Sequence, residues 1–117
     1  LVVEPGDYSE ASGEVAMRAA MLAGATPDAV FAASDLMAMG ALRVVREAGL
    51  SVPGDVSVVG FDDSPVCRHT EPGLTSVHQP VEEMGRVMAD LLLARLAGES
   101  PPAETVLPTR LVERDSS

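Results

Sequence analysis

Two adjacent carboxylates, Asp62 and Asp63, close the stretch VPGDVSVVGFDDSP, Val52 to Pro65, behind a Pro-Gly-Asp turn and a short apolar run. An ionised carboxylate only accepts hydrogen bonds and can accept two at once, so it suits the hydroxyl or N–H donors of a ligand. Three other residues have side chains fit for recognition. Tyr8, the sole tyrosine, offers a ring face to a sugar's C–H surface or to a planar base; Gln79, the sole glutamine, offers both a donor and an acceptor; Ser34 offers one hydroxyl. Each also has a plain structural role open to it. Asp62 can cap backbone amides in its loop, Tyr8 can be half-buried packing, Ser34 with Asp35 has the composition of a helix start, and Gln79 stands just before another. Asp63 reads as the structural member of the acidic pair.

Other chemistries find little support. Cys67, His69 and His78 include metal-binding residue types, but C-x-H with one distant His matches no familiar zinc spacing, so no metal is expected. The dinucleotide glycine fingerprint, the phosphate-binding Walker loop and the nucleophile elbow are all missing, and no cofactor is expected. Asp62 and Asp63 are neighbours, which does not suit an acid and a base facing each other across a scissile bond. Pairing Ser34 with His69 or His78 as nucleophile and base has no spacing to recommend it. The residues describe a binder and not an enzyme.

These side chains need elements to position them. LVVE, Leu1 to Glu4, reads as a strand, and Asp7 or Ser9 can cap a helix running to about Ala23, with Glu10 three residues after Asp7 as in a capping box. The apolar positions of that helix are Val15, Ala16, Ala19, Ala20, Leu22 and Ala23. A turn at Thr26-Pro27-Asp28 leads to a strand over Ala29 to Ala33, and Ser34 caps a second helix with Met37, Gly40, Ala41, Val44, Val45 and Ala48 inward. A strand follows over Ser57 to Phe61 and another over Thr75 to His78, and Pro80 occupies a first-turn position. A third helix spans about Val81 to Ala97. Two short strands, Glu104 to Leu107 and Arg110 to Glu113, finish the chain.

Strands alternating with helices predict an α/β fold, a parallel sheet in a three-layer α/β/α arrangement with helices on both faces. Tyr8, Ser34, Asp62 and Gln79 each fall just past the end of an expected strand. In open parallel sheets ligands bind in the crevice beyond the strands' carboxyl ends, so four connections would bring these residues together there.

At 117 residues the chain suffices for one domain, but its start at Leu1 within a strand-like run reads as a fragment. Eight basic against 18 acidic residues give a formal charge of −10, the wrong sign for gripping nucleic acid. No apolar run approaches the roughly 20 residues of a membrane span, so no membrane contact is expected. The single cysteine excludes an internal disulfide and suits a reducing, cytoplasmic setting. Lysine, asparagine and isoleucine are absent, as a GC-rich genome would produce, so the choice of arginine over lysine carries little chemical information.

The segments GDYSEASG, Gly6 to Gly13, AVFAASDLMAMGALRVVREAGLSVPGDVSVVGFDDSP, Ala29 to Pro65, LTSVHQPVEEMG, Leu74 to Gly85, and LPTRLVERDSS, Leu107 to Ser117, together resemble the C-terminal part of the effector-binding region of LacI-type bacterial transcription regulators. The resemblance implies a fold like the type I periplasmic binding proteins, with two α/β subdomains and a ligand in the cleft between them. It makes residues 1–80 a partial C-terminal subdomain, 81–103 a crossover helix that packs on the N-terminal subdomain, and 104–117 the C-terminal crossover strands. By the same resemblance Tyr8 stacks on the effector, Asp62 bonds it and Gln79 forms a polar wall; Ser34 stands where the family often has Asn. Met39, Leu42 and Arg43, with Val66, Cys67 and Thr70, match a dimer interface. The implied partners are a small polar metabolite, most readily a sugar, a second copy of the chain, and operator DNA through an N-terminal helix-turn-helix upstream. A periplasmic sugar-binding protein of a transporter shares the fold and is the alternative.

Overall fold

Ser9 begins the first helix because its Oγ accepts from the N–H of Ser12 at 3.1 Å, and Asp7 steadies Ser9 by accepting from its backbone N–H at 3.0 Å. The structure is a computed structural model and describes residues 4–24 and 27–117. Helix α1 runs Glu10–Leu22 and α2 runs Asp35–Glu47; between them lies strand β1, Ala29–Phe31. Strand β2, Ser57–Asp62, a 3-10 turn over Pro65–Arg68, strand β3, Thr75–His78, helix α3, Val81–Leu96, and strand β4, Arg110–Val112, complete the order. The opening strand falls, except for Glu4, outside the described residues, as does Thr26 of the expected turn. Glu10 forms no capping box with Asp7; it pairs with Arg43, and the Asp7 N–H donates to Ser12 Oγ instead.

The α/β class holds, and the sheet is mixed. Its order is β1-β2-β3-β4, with the first two pairings parallel and β4 antiparallel to β3. Glu104 to Leu107, expected as a strand, is irregular; it has no neighbouring strand to take its backbone hydrogen bonds. The main core lies between α2 and one face of the sheet, where Ala38, Ala41, Val45, Val58 and Leu74 are buried. Gly60 on β2 passes so close to α2 that an added Cβ would strike Asp35. On the opposite face Phe31 and Leu111 are exposed while Val59, Phe61 and Val77 are half-buried. The helix cover expected on both faces is therefore found on one, among the described residues.

Helix α1 packs on α2 rather than on the strands. It does so through Gly13, Met17 and Met21, one residue every four, while Val15 and Leu22, expected inward, are exposed. Ion pairs from Arg18 to Glu47 and from Arg43 to Glu10 and Glu14 flank the seam. The C-terminal tail closes the start of the sheet. Ser116 is fully buried, accepts from the Val58 N–H at its carbonyl at 2.7 Å, and donates from Oγ to the Val58 carbonyl at 2.6 Å.

Helix α3 stands apart, with Val81, Met88, Leu92, Leu93 and Leu96 all exposed. Its projection makes the chain 59 × 26 × 21 Å, with a radius of gyration of 17.6 Å against about 13 Å for a compact chain of this length. No helix among the described residues is long and apolar enough to cross a membrane.

Cys67 and Leu42, matched to a dimer surface by resemblance, are 0% and 3% exposed and belong to this chain's own core. Leu42 lies one turn from Ala38 and Val45 on the buried side of α2, and the 3-10 turn folds Cys67 inward, so neither side chain is free for a second copy. Burial, and after it the nearby Asp35, push the Cys67 thiol up to about 12. At neutral pH the reactive thiolate is therefore scarce as well as shielded. Labelling of Cys67 by a thiol reagent is expected to be negligible in the native protein and to follow global unfolding across a urea series. Rapid labelling in the absence of urea would contradict this placement.

Candidate functional site

Tyr8, Ser34 and Asp62 do meet. With Leu36, Pro65 and Val66 they line an open crevice of about 430 Å³ at the carboxyl ends of β1 and β2, within the size range of small-molecule sites. Gln79 does not line this crevice but is tied to it: its Nε2 donates to Asp62 Oδ1 at 2.6 Å, and its backbone N–H reaches the Asp62 carbonyl at 3.5 Å. Asp62 Oδ2 is left without a donor among the described residues, so one carboxylate oxygen is fixed and the other is available.

Backbone conformation marks the same place. Tyr8, Asp62 and Asp63 have φ values of 67°, 107° and 54°, in the left-handed region that residues with a Cβ disfavour. Such residues cluster at binding and switch sites, where the surroundings hold them. Tyr8 lines the crevice and is 65% exposed, which leaves it available to stack.

Ser34 is differently placed. It is buried, its Oγ accepts from the Met37 N–H at 3.2 Å and donates to the Tyr8 carbonyl at 3.1 Å. Its hydroxyl therefore caps α2 and anchors the strained Tyr8 backbone, and its proton is already committed. The cap role that the sequence offers for Ser34 is the one its geometry displays.

The central polar group beneath the crevice is Asp35, which sequence reasoning read only as a first-turn carboxylate favoured by the helix dipole. It is 1% exposed, accepts from Ser76 Oγ at 2.6 Å and from the Ser64 N–H at 2.7 Å, and so ties α2 to β3 and to the loop after β2. These partners lie 41 and 29 residues away, beyond the reach of local pattern. Asp63 is held as firmly. Arg114 Nη2 donates to its Oδ1 at 2.5 Å and His78 Nδ1 lies 3.1 Å from Oδ2. Burial opposes its ionised form, but the hydrogen bond and charge of Arg114, then those of His78, outweigh it and hold the carboxyl below the usual carboxylate range.

Among the described residues no group of three or more His, Cys, Asp or Glu stands close enough to hold a metal ion. Neither His69 nor His78 forms a hydrogen bond with Ser34, whose partners are Met37 and Tyr8. The crevice provides an aromatic face, an apolar wall and a half-occupied carboxylate. Chemically, that set suits a ligand carrying both C–H surface and hydroxyl donors.

The family described as a periplasmic binding protein-like domain matches residues 1–117. The HTH-type transcriptional regulator CelR of Thermobifida fusca is 53% identical over 98% of this chain and 34% of its own length. The HTH-type transcriptional regulator MalR of Streptomyces coelicolor is 44% identical over 99% of this chain and 33% of its own. The lactose operon repressor of Rhizobium radiobacter is 45% identical over 78% of this chain and 80% of its own length. Among solved structures, a CelR–cellobiose complex superposes with a TM-score of 0.92 at 53% identity, over 96% of this chain and 35% of that one. A lac repressor dimer bound to operator and an anti-inducer gives a TM-score of 0.92 at 36% identity, over 96% of this chain and 39% of that one. The chain thus spans roughly a third of the length of CelR and MalR. With a crevice at the carboxyl ends of its parallel strands, a family match along its whole length and these relatives, the chain belongs to the periplasmic-binding-protein-like family, in the branch carried by LacI-type transcriptional regulators.

Proposed function

We propose that this chain is the effector-sensing part of a LacI-type regulator and binds a small polar metabolite, a sugar, by binding alone and without turnover. The observation that carries the reading is the convergence of Tyr8 and Asp62 on one crevice, with Asp62 Oδ2 unoccupied and Gln79 holding Oδ1. A sugar presents an apolar C–H face to Tyr8 and hydroxyl donors to Asp62, which fits that division. The complex of CelR with cellobiose, from a 53% identical relative, supports the same ligand class.

Residues 1–80 would form one wall of the cleft. The exposed apolar residues of α3, within 81–103, would pack on a second subdomain that supplies the other wall, and 104–117 would return the chain to the first. Met39, Arg43, Val66 and Thr70 remain available to a second copy, consistent with a homodimer, although Arg43 already serves Glu10 and Glu14. The effector favours one arrangement of the two subdomains, and operator affinity, exerted by a helix-turn-helix elsewhere in the polypeptide, changes in proportion to its differential binding. Such a protein acts in the cytoplasm, where its operator is.

The test is a thermal-stability screen of the full reading frame against sugars, nucleosides and amino acids, since a ligand at a hundred times its Kd stabilises by about 2.7 kcal/mol. One sugar is expected to raise the melting temperature, and Asp62→Ala to weaken it about ten- to a hundredfold, the loss of a charge-assisted hydrogen bond. A folded protein that responds to none of the panel, or a response unaffected by Asp62→Ala, overturns the assignment. A transporter's binding protein would respond to sugar as well but would show no sugar-dependent operator binding in a gel-shift assay.

A further inference from the structure

At the end of β2 two consecutive residues, Asp62 and Asp63, pass through the left-handed region, at φ 107° and 54°. A pair of this kind persists only where the surroundings fix it from several sides. Much of that fixing comes from the other end of the chain. Arg114, two residues beyond β4, donates from Nη2 to Asp63 Oδ1 at 2.5 Å and from Nη1 to the Leu74 carbonyl at 2.7 Å. Its own backbone is pinned on β3, where its N–H donates to Thr75 Oγ1 at 2.8 Å and its carbonyl accepts from the same hydroxyl at 3.2 Å. The side chains of Arg114 and Asp63 are 14% and 8% exposed, so this contact is shielded from water. A planar guanidinium bonded at two points fixes direction as well as charge, which a lysine cannot reproduce.

Asp62 is one peptide bond away and lines the crevice, whereas Arg114 does not. We propose that Arg114 is a positioning residue: through Asp63 it holds the backbone that presents Asp62 to ligand, so the C-terminal segment sets the affinity of a crevice it does not touch. This rests on the effector-binding reading of that crevice. His78 on Asp63 Oδ2, and Ser76 Oγ accepting from the Asp63 N–H at 3.0 Å, hold the other sides of the loop and keep it from collapsing when Arg114 is changed.

The experiment uses the full reading frame as wild type, Arg114→Gln and Arg114→Lys, and makes two measurements. The first is the calorimetric Kd for the sugar identified in the stability screen, starting with cellobiose. The second is amide hydrogen exchange without sugar. Arg114→Gln is expected to raise Kd at least tenfold and to speed exchange at Asp63 and Ser64 at least tenfold, while the amides of α2 exchange as in wild type. Arg114→Lys should recover part of both, since it keeps the charge but not the second bond to Leu74. Exchange accelerated throughout the molecule would make Arg114 a general stabiliser and overturn the proposal, as would an unchanged Kd beside a loosened loop. If wild type binds no sugar, the reading of the site fails, and unchanged exchange at Asp63 and Ser64 would separately refute the positioning role.

Discussion

Replacing Asp35 with alanine is expected to destabilise the protein by about 3–5 kcal/mol, read as a lower urea midpoint at constant slope. The carboxylate is 1% exposed and accepts two short hydrogen bonds, from Ser76 Oγ and the Ser64 N–H. Bonds to a charged group are worth about 1.5–3 kcal/mol each, and removing the acceptor strands buried donors that water cannot easily reach. No backbone shift repairs the loss, because Gly60 already lies against Asp35 and Ser76 is itself fully buried. Asn at position 35 should fall about halfway. It preserves volume and one acceptor but turns an amide N–H₂ towards one of the two donors. A loss below about 1 kcal/mol for alanine would mean that the loop after β2 stands without its anchor, and the account of Asp35 as its foundation would be wrong.

Asp35 also measures what local sequence can convey. The order of helices and strands from α1 through β3 was legible because it depends on short-range signals: Ser9 and Ser34 as caps, the Pro-Gly-Asp turn before β2, and the apolar spacing of α2. The convergence of Tyr8, Ser34 and Asp62 was legible because parallel strands with intervening helices put their carboxyl ends together. What escaped depends on partners distant in the chain. Asp35 meets Ser76, and Asp63 meets Arg114 across 51 residues, and neither pairing leaves a local trace. Glu104 to Leu107 carries the strand-favouring Thr105 and Val106 but has no strand beside it. Leu42 was within reach of periodicity, three residues from Met39 but one turn from Ala38 and Val45, and burial followed the latter neighbours. Cys67 required knowledge of the 3-10 turn at Pro65–Arg68.

Gly40→Ala is expected to destabilise by about 3 kcal/mol or more, although an alanine in a helix interior is ordinarily better than glycine by about 1 kcal/mol. The reversal of sign follows from the seam between α1 and α2. A Cβ at Gly40 would strike the Glu10 carbonyl oxygen and crowd the Glu14 nitrogen, and one at Gly13 would strike the Met37 carbonyl. These are backbone atoms, with no flexible side-chain end to swing aside, so the two helices would have to separate and uncover Met17 and Met37, both of which are core residues. Interiors packed to crystal-like density have no slack for that displacement. Gly85 on α3 supplies an internal control, because nothing lies within 4 Å of the position its Cβ would take. In this chain Gly85→Ala should therefore follow propensity alone and stabilise α3 by roughly 0.5–1 kcal/mol. The urea midpoint of Gly40→Ala is expected to fall, while that of Gly85→Ala stays at or slightly above wild type, because α3 stands apart from the core and its gain is read as helix content. If the Gly40→Ala midpoint rose instead, the approach of α1 to α2 would be looser than the structure has it, and the glycines at 13 and 40 would have no packing reason to be there.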